Sequence, residues 1–206
     1  WGETVSFTHE SGHKSEVADW NQCPGDIQSL LNNAEQAIQT KYTSTAIPLA
    51  GFHGDPDRMP LLFFSGSRTI RFEPQQVEQL RDYINRGGMV VFDSIAGSPF
   101  FYDSALQAAT QILPGNSIRT VPLDHPLFSI KNIVTTVNYP RNRKSTRPKF
   151  EAVYVGSRIG VLISPFGLGA GWDGREIPEQ LKDAVYYDVN SAGRIGANLV
   201  AYAVGY

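Results

Sequence analysis

His125 is the best acid–base candidate in this chain, because an imidazole titrates closest to neutral pH, and Asp124 stands beside it. Neighbours in sequence rarely pair side chain to side chain, so the two do not make a dyad. Asp124 could equally cap the turn that Pro126 enters. Asp93 is a third candidate acid or base. A second group of residues suits binding: Ser65-Gly66-Ser67-Arg68 and Asp93-Ser94, with His9, follow apolar runs and could hydrogen-bond a polyol or a carboxylate. The same residue types are the ordinary material of turns. Arg158 and Arg194 could grip an anion through forked hydrogen bonds, or tie loops together. Trp172 lies in a segment, residues 165–174, with four glycines; it reads either as a flap over a pocket or as a surface loop.

Other chemistries find less support. Cys23 is the only cysteine, which excludes an internal disulfide and a thiolate zinc site. It stands in Asn-Gln-Cys-Pro and does not follow an apolar run, so a buried, inert thiol is expected. Neither Ser65 nor Ser67 sits in a Gly-x-Ser-x-Gly elbow. His9, His13 and His53, with Glu10 and Asp55, include metal-ligand types, but Ser11-Gly12 argues against the helix that a four-residue His spacing needs. Residues 165–174 are neither a dinucleotide fingerprint nor a phosphate-binding P-loop. No metal and no cofactor are therefore expected.

These residues need a scaffold, and the periodicity supplies one. The chain has 206 residues, 41% hydrophobic and 18% charged, enough for a full core. Val5 to Thr8 reads as a first strand, and Cys23-Pro24-Gly25-Asp26 opens a helix striped by Ile27, Leu30, Leu31, Ala34 and Ile38. Ala46 to Leu49 is a short strand candidate. Pro60 to Phe64 and Met89 to Phe92 are apolar on both faces, as central parallel strands are. Between them, Glu73-Pro74 starts a helix that Gly87-Gly88 ends. Asp103 or Ser104 is expected to cap the next helix, and Ile118 to Val121 forms a further strand. Residues 141–149 read as an exposed basic loop, 151–155 and 159–164 as a hairpin, and Ser191 as the cap of the last helix. Strands alternating with helices predict an α/β fold, a three-layer sandwich with a mostly parallel central sheet, helices on both faces and a late β-hairpin insertion. Residues 1–206 are expected to form one domain.

A net charge of −2 gives no general pull toward nucleic acid, and none is expected as a partner. Arg141, Arg143, Lys144, Arg147 and Lys149 form a basic cluster that could dock an acidic partner, but with no interleaved aromatic residue for stacking on bases. The chain begins at Trp1, which suggests that an upstream signal peptide, anchor or domain was removed.

Several segments together resemble a known family. They are Asp19-Trp20-Asn21, residues 60–66, Leu80 to Ile84, Gly87 to Asp93, Asp124 to Phe128, Gly156 to Val161 and Gly193 to Leu199. In this order and spacing they resemble a bacterial domain of unknown function, family 4159, similar to the class I glutamine-amidotransferase-like superfamily with its flavodoxin-like core. The resemblance implies an exported, periplasmic or membrane-tethered bacterial protein, any tethering lying in the upstream segment. An amidotransferase needs a thiolate on a tight strand-to-helix turn, and no Gly-x-Cys-x-Gly exists here. The expected function is a noncatalytic binding or scaffold domain that recognises a small polar ligand or a protein partner. The alternative is a hydrolase or carbohydrate-processing enzyme using Asp93, Asp124 or His125, which requires them to converge on one cavity.

Overall fold

The computed structural model describes residues 4–8, 11–140, 142–174 and 184–205. In chain order its first half contains β1 (Thr4–Thr8), β2 (Lys14–Ala18), α1 (Asp26–Ile38), β3 (Leu61–Gly66), α2 (Pro74–Asn85), β4 (Met89–Ser94) and α3 (Pro99–Ile112). The second half contains β5 (Ile118–Thr120), β6 (Val137–Tyr139), β7 (Asn142–Thr146), β8 (Glu151–Val155), β9 (Arg158–Ser164), α4 (Leu168–Asp173) and α5 (Val189–Gly205).

Five strands form the main sheet, in the order β3-β4-β9-β8-β5. β3, β4 and β9 are parallel neighbours, whereas β8 runs antiparallel to β9 and to β5. The sheet is thus mixed rather than mostly parallel in its pairings, although four of its strands point the same way. The late hairpin is the cause: β9 is both its second arm and a central parallel strand.

The apolar runs behave as their composition dictates. Met89 and Val91 of β4 pack with Leu30, Ala34, Trp172, Ile195 and Leu199 from α1, α4 and α5. Val90 and Phe92 pack with Leu80, Ile84, Ala105 and Ala109 from α2 and α3. Helices therefore cover both faces. Glu73 and Gln76 form a reciprocal capping box ahead of Pro74, which fixes the start of α2. Its end is set by Gly87, whose φ of +119° only glycine adopts cheaply.

The structure departs from the sequence reading at six elements. Val5–Thr8 is a strand, but it pairs with β2 in a separate hairpin outside the main sheet. Residues 46–49 form no strand; Ala46 and Ile47 are exposed, so too little apolar surface is buried to hold one. Helix α3 begins earlier than expected: Ser98 is its N-cap, Pro99 follows, and Asp103 and Ser104 lie inside it. The basic stretch is partly strand, since β7 pairs with β6; Arg141 lies outside the described residues. Asp188, not Ser191, caps α5, its Oδ1 accepting from Ser191 N at 2.7 Å.

The largest departure is the glycine-rich segment. Residues 168–173 form the short helix α4, buried against α1 and α5. Trp172 is 3% exposed, and its indole N–H donates to Ala192 O at 2.7 Å. A side chain at Gly171 would place Cβ 2.6 Å from the Tyr187 carbonyl oxygen and from Ala192 Cβ. Glycine is there to let two backbones approach, not to make a flap or a wandering loop.

Candidate functional site

In open α/β sheets ligands bind beyond the carboxyl ends of parallel strands. The register places Ser65, Asp93 and Ser164 side by side at those ends, with Gly66 beside Ser94 one residue further on. Ser65, Asp93 and Ser164 each have a defined role within the fold. Ser65 Oγ donates to Trp20 O at 3.0 Å, and Ser164 Oγ donates to Phe166 O at 2.5 Å. Asp93 is fully buried and accepts from Leu168 N at 2.7 Å and Gly169 N at 2.9 Å. It caps the N-terminus of α4 from 75 residues away, where unpaired N–H groups and the helix dipole favour a negative charge.

Asp19 plays the corresponding part at the end of β3. It is also fully buried and accepts from Ser67 N at 3.1 Å, Ser67 Oγ at 2.7 Å, Arg68 N at 3.2 Å and Gln22 Nε2 at 2.7 Å. The turn that could have cradled a ligand's carboxylate holds this one. A Cβ at Gly66 would fall 2.5 Å from Asp19 Oδ2, so glycine makes room for the carboxylate. Ser98 Oγ donates to Ser67 O, which ties the start of α3 to the same turn. Ser94 Oγ is buried with no hydrogen-bond partner among the described residues.

Two aromatic side chains stand out on this rim. Trp20 is 45% exposed and Phe100 is 70% exposed. Their segments are anchored to Ser65 and Ser67: Trp20 O accepts from Ser65 Oγ, and Ser98, two residues before Phe100, donates to Ser67 O.

Charge at the strand ends is concentrated in acids. Asp26 opens α1, and its carboxyl is pushed up to about 6, chiefly by burial and secondarily by Asp173. Burial pushes Asp93 up to about 7 against the lowering effect of its two N–H donors, with Asp26 adding to the rise. Asp173, at the end of α4, accepts from Gly25 N at 2.9 Å.

The remaining candidates lie elsewhere. Arg158 starts β9, six residues from Ser164, roughly 20 Å along an extended chain. Its guanidinium donates to Gly88 O at 2.9 Å and to Ile84 O, closing the end of α2. His125 is at the same end. Its ring centroid lies 5.2 Å from that of Tyr202, whose hydroxyl accepts from Ile159 N at 2.9 Å. Ile159 is five residues from Ser164, the partner of Asp93, so His125 and Asp93 are separated by roughly the length of the strand, ~16 Å. His125 Nδ1 accepts from Leu127 N at 3.1 Å, and burial lowers its pKa against the opposing pull of Asp124. Asp124 is exposed. The acid–base candidates therefore do not converge on one cavity.

Cys23 is buried with Ile95, Ala170 and Tyr186. His9 and Glu10 lie outside the described residues, and His13, His53 and Asp55 are exposed. Among the described residues no group of three or more His, Cys, Asp or Glu side chains could hold a metal ion. No helix there is long and apolar enough to cross a membrane. A hollow of about 400 Å³ lies along α1, lined by Asn32, Glu35, Gln36 and Gln39, away from the strand ends.

Sequence reasoning gave no role to Asp19 or Asn198. Asn198 is fully buried and uses its whole amide: Oδ1 accepts from Lys131 N and Asn132 N, and Nδ2 donates to Leu127 O and Asn132 O. It ties the Asp124–Phe128 turn to α5. Both residues fall in segments whose order and spacing carried the family resemblance, which was the available signal.

No curated protein matches the chain. The model of the family described as a domain of unknown function (DUF4159) matches residues 11–204, and the chain belongs to that family.

Proposed function

We propose that this chain is a noncatalytic binding or scaffold domain of an exported bacterial protein, recognising a small polar ligand or a protein partner at the carboxyl ends of β3 and β4. One observation carries the reading. The polar groups there, Ser94 Oγ excepted, are taken up in internal hydrogen bonds, while Trp20 and Phe100 remain exposed on segments tied to Ser65 and Ser67. Exposed aromatic rings suit recognition by contact, since such residues contribute much of the binding energy at interfaces. The separation of His125 from Asp93 counts against the alternative of a hydrolase built on those two residues. The finer fold assignment in this reading is a single class I glutamine-amidotransferase-like, flavodoxin-like three-layer domain over residues 1–206. Its support is three adjacent parallel strands with helices on both faces.

Thermal-shift screening with sugars and carboxylates, followed by tryptophan fluorescence titration, tests the reading. A saturable response abolished by Trp20→Ala and Phe100→Ala supports it. Turnover of any substrate that disappears in Ser65→Ala or His125→Ala refutes the noncatalytic claim.

A further inference from the structure

Beneath the strand-end rim, the described residues of the elements that meet there carry buried acids. β4, α1 and α4 together contain no Lys, Arg or His. Asp93 is 0% exposed and Asp26 7%. The position of a Cβ on Gly169 would be 2.9 Å from Asp26 Oδ2 and 3.3 Å from Asp93 Oδ2, so these two oxygens are at most about 6 Å apart, on either side of the first turn of α4. Both Asp93 oxygens accept backbone N–H groups of α4, and Asp26 Oδ1 accepts from Ile27 N at 2.6 Å. Asp173 faces Asp26 from the far end of α4.

Among the described residues, the charged groups on the neighbouring elements have other engagements. On α5 the one cation is Arg194, whose guanidinium donates to Ile133 O. Asp188, ahead of α5, is engaged in capping that helix. Glu35 of α1 is exposed toward the opposite end of its helix. Asp19, before α1, faces the Ser67 turn. Residues 95–97, between β4 and α3, carry no charge. The ion pairs among the described residues, Arg81–Glu78 and Arg86–Asp82, belong to α2 and the residue that ends it.

Two carboxylates this close in a dry site cannot both ionise cheaply, because each loses hydration and repels the other. We infer that Asp26 and Asp93 titrate as one coupled pair that retains a proton in the folded protein, making the docking of α4 onto β4 and α1 a pH-sensitive clamp. With one carboxyl neutral, Asp93 still caps α4 and repulsion across Gly169 is absent. With both ionised, α4 is held between two like charges.

The sign follows from linkage. Both folded-state values, about 6 and about 7, lie above the ordinary 3.8, so the folded state binds protons more tightly. The stabilisation is complete below pH 3.8 and is lost as pH rises through about 6 to 7. Between about pH 6 and 7 the folded pair holds about one proton more than the unfolded chain, so the unfolding constant rises about tenfold per pH unit; below 6 the rise is steeper.

Urea unfolding from pH 5 to 8, together with carboxyl-carbon NMR titration of the folded wild type, decides the matter. Expected results are a slope near tenfold per unit between pH 6 and 7, steeper below and flat above, Asp26 and Asp93 resonances moving together above pH 5, and, in Asp26→Asn, a flattened slope with the Asp93 midpoint displaced downward. The proposal is overturned if both carboxyl carbons titrate near pH 4, or if Asp26→Asn keeps the wild-type slope. The wild-type titration decides alone should the variant fail to fold.

Discussion

At the carboxyl ends of β3 and β4 the buried charged groups are carboxylates, Asp19 and Asp93, which accept from backbone N–H groups. At the amino end of β9 the charged side chain is a donor: Arg158 feeds the carbonyls of Ile84 and Gly88. The contrast follows from how helices are laid against a sheet with a common strand direction. Helix N-termini, with unpaired N–H groups and positive dipole ends, gather where strands finish. Helix C-termini, with unpaired carbonyls, gather where strands begin. Each end then recruits side chains of the complementary sign. Polarity at a strand end is thus what the fold itself demands, before any ligand is considered.

Breaking each end separately tests this comparison. The largest loss is expected from Asp19→Ala, which strands several buried donors at once: about 4 kcal/mol in urea unfolding. Replacing Arg158 with Met leaves the carbonyls at the end of α2 without their donor, and should cost about 2 kcal/mol in the same assay. Were the Arg158 variant to lose as much as the Asp19 variant, the greater burial assigned to the carboxylate end would be wrong. Trp172→Phe keeps most of the packing but loses the donor to Ala192 O, for about 1 kcal/mol measured by thermal unfolding.

The smallest expected effect belongs to His125. Its lowered pKa means that the unfolded chain takes up the proton more readily, so its contribution is present above the ordinary 6.5 and is lost as pH falls through the folded value below it. Proton NMR of the His125 ring should give a midpoint below 6.5, and His125→Asn should remove a pH dependence worth under about 1 kcal/mol. A midpoint above 6.5 would show a carboxylate engaging the ring, and would reopen acid–base chemistry at the amino end.

Asn198 sharpens the same lesson away from the strand ends. Its amide satisfies two donors and two acceptors of one turn, so an Asn198→Leu variant is expected to lose about 3 kcal/mol, with the residue 127–132 amides losing protection in hydrogen exchange.

Elements whose stability is local or whose pattern is strong were legible in the chain. Leu61–Phe64 and Met89–Phe92 announce buried strands because both faces are apolar. Glu73-Pro74 and Gly87-Gly88 bracket α2 because capping and positive φ are properties of neighbouring residues. Four short residues at 46–49 carried no such support and formed nothing. Cap positions slipped by a few residues at α3 and α5, where several small polar residues compete for one role.

The candidate site was legible as a set of strand-end residues but not as an arrangement. Nothing near Leu168 in sequence says helix: its neighbours are glycines, and its cap is Asp93, supplied by another strand. Ser65, Ser67 and Asp93 looked free to bind because the groups they meet, Trp20 O, Asp19 and the α4 amides, are remote in sequence. Hydrophobic periodicity and local turn chemistry settle which segments become strands and helices, because those energies act between near neighbours. Partnership of buried polar groups is settled only when the layers close, because desolvation leaves each group to find its complement among whatever residues the fold brings within three ångströms.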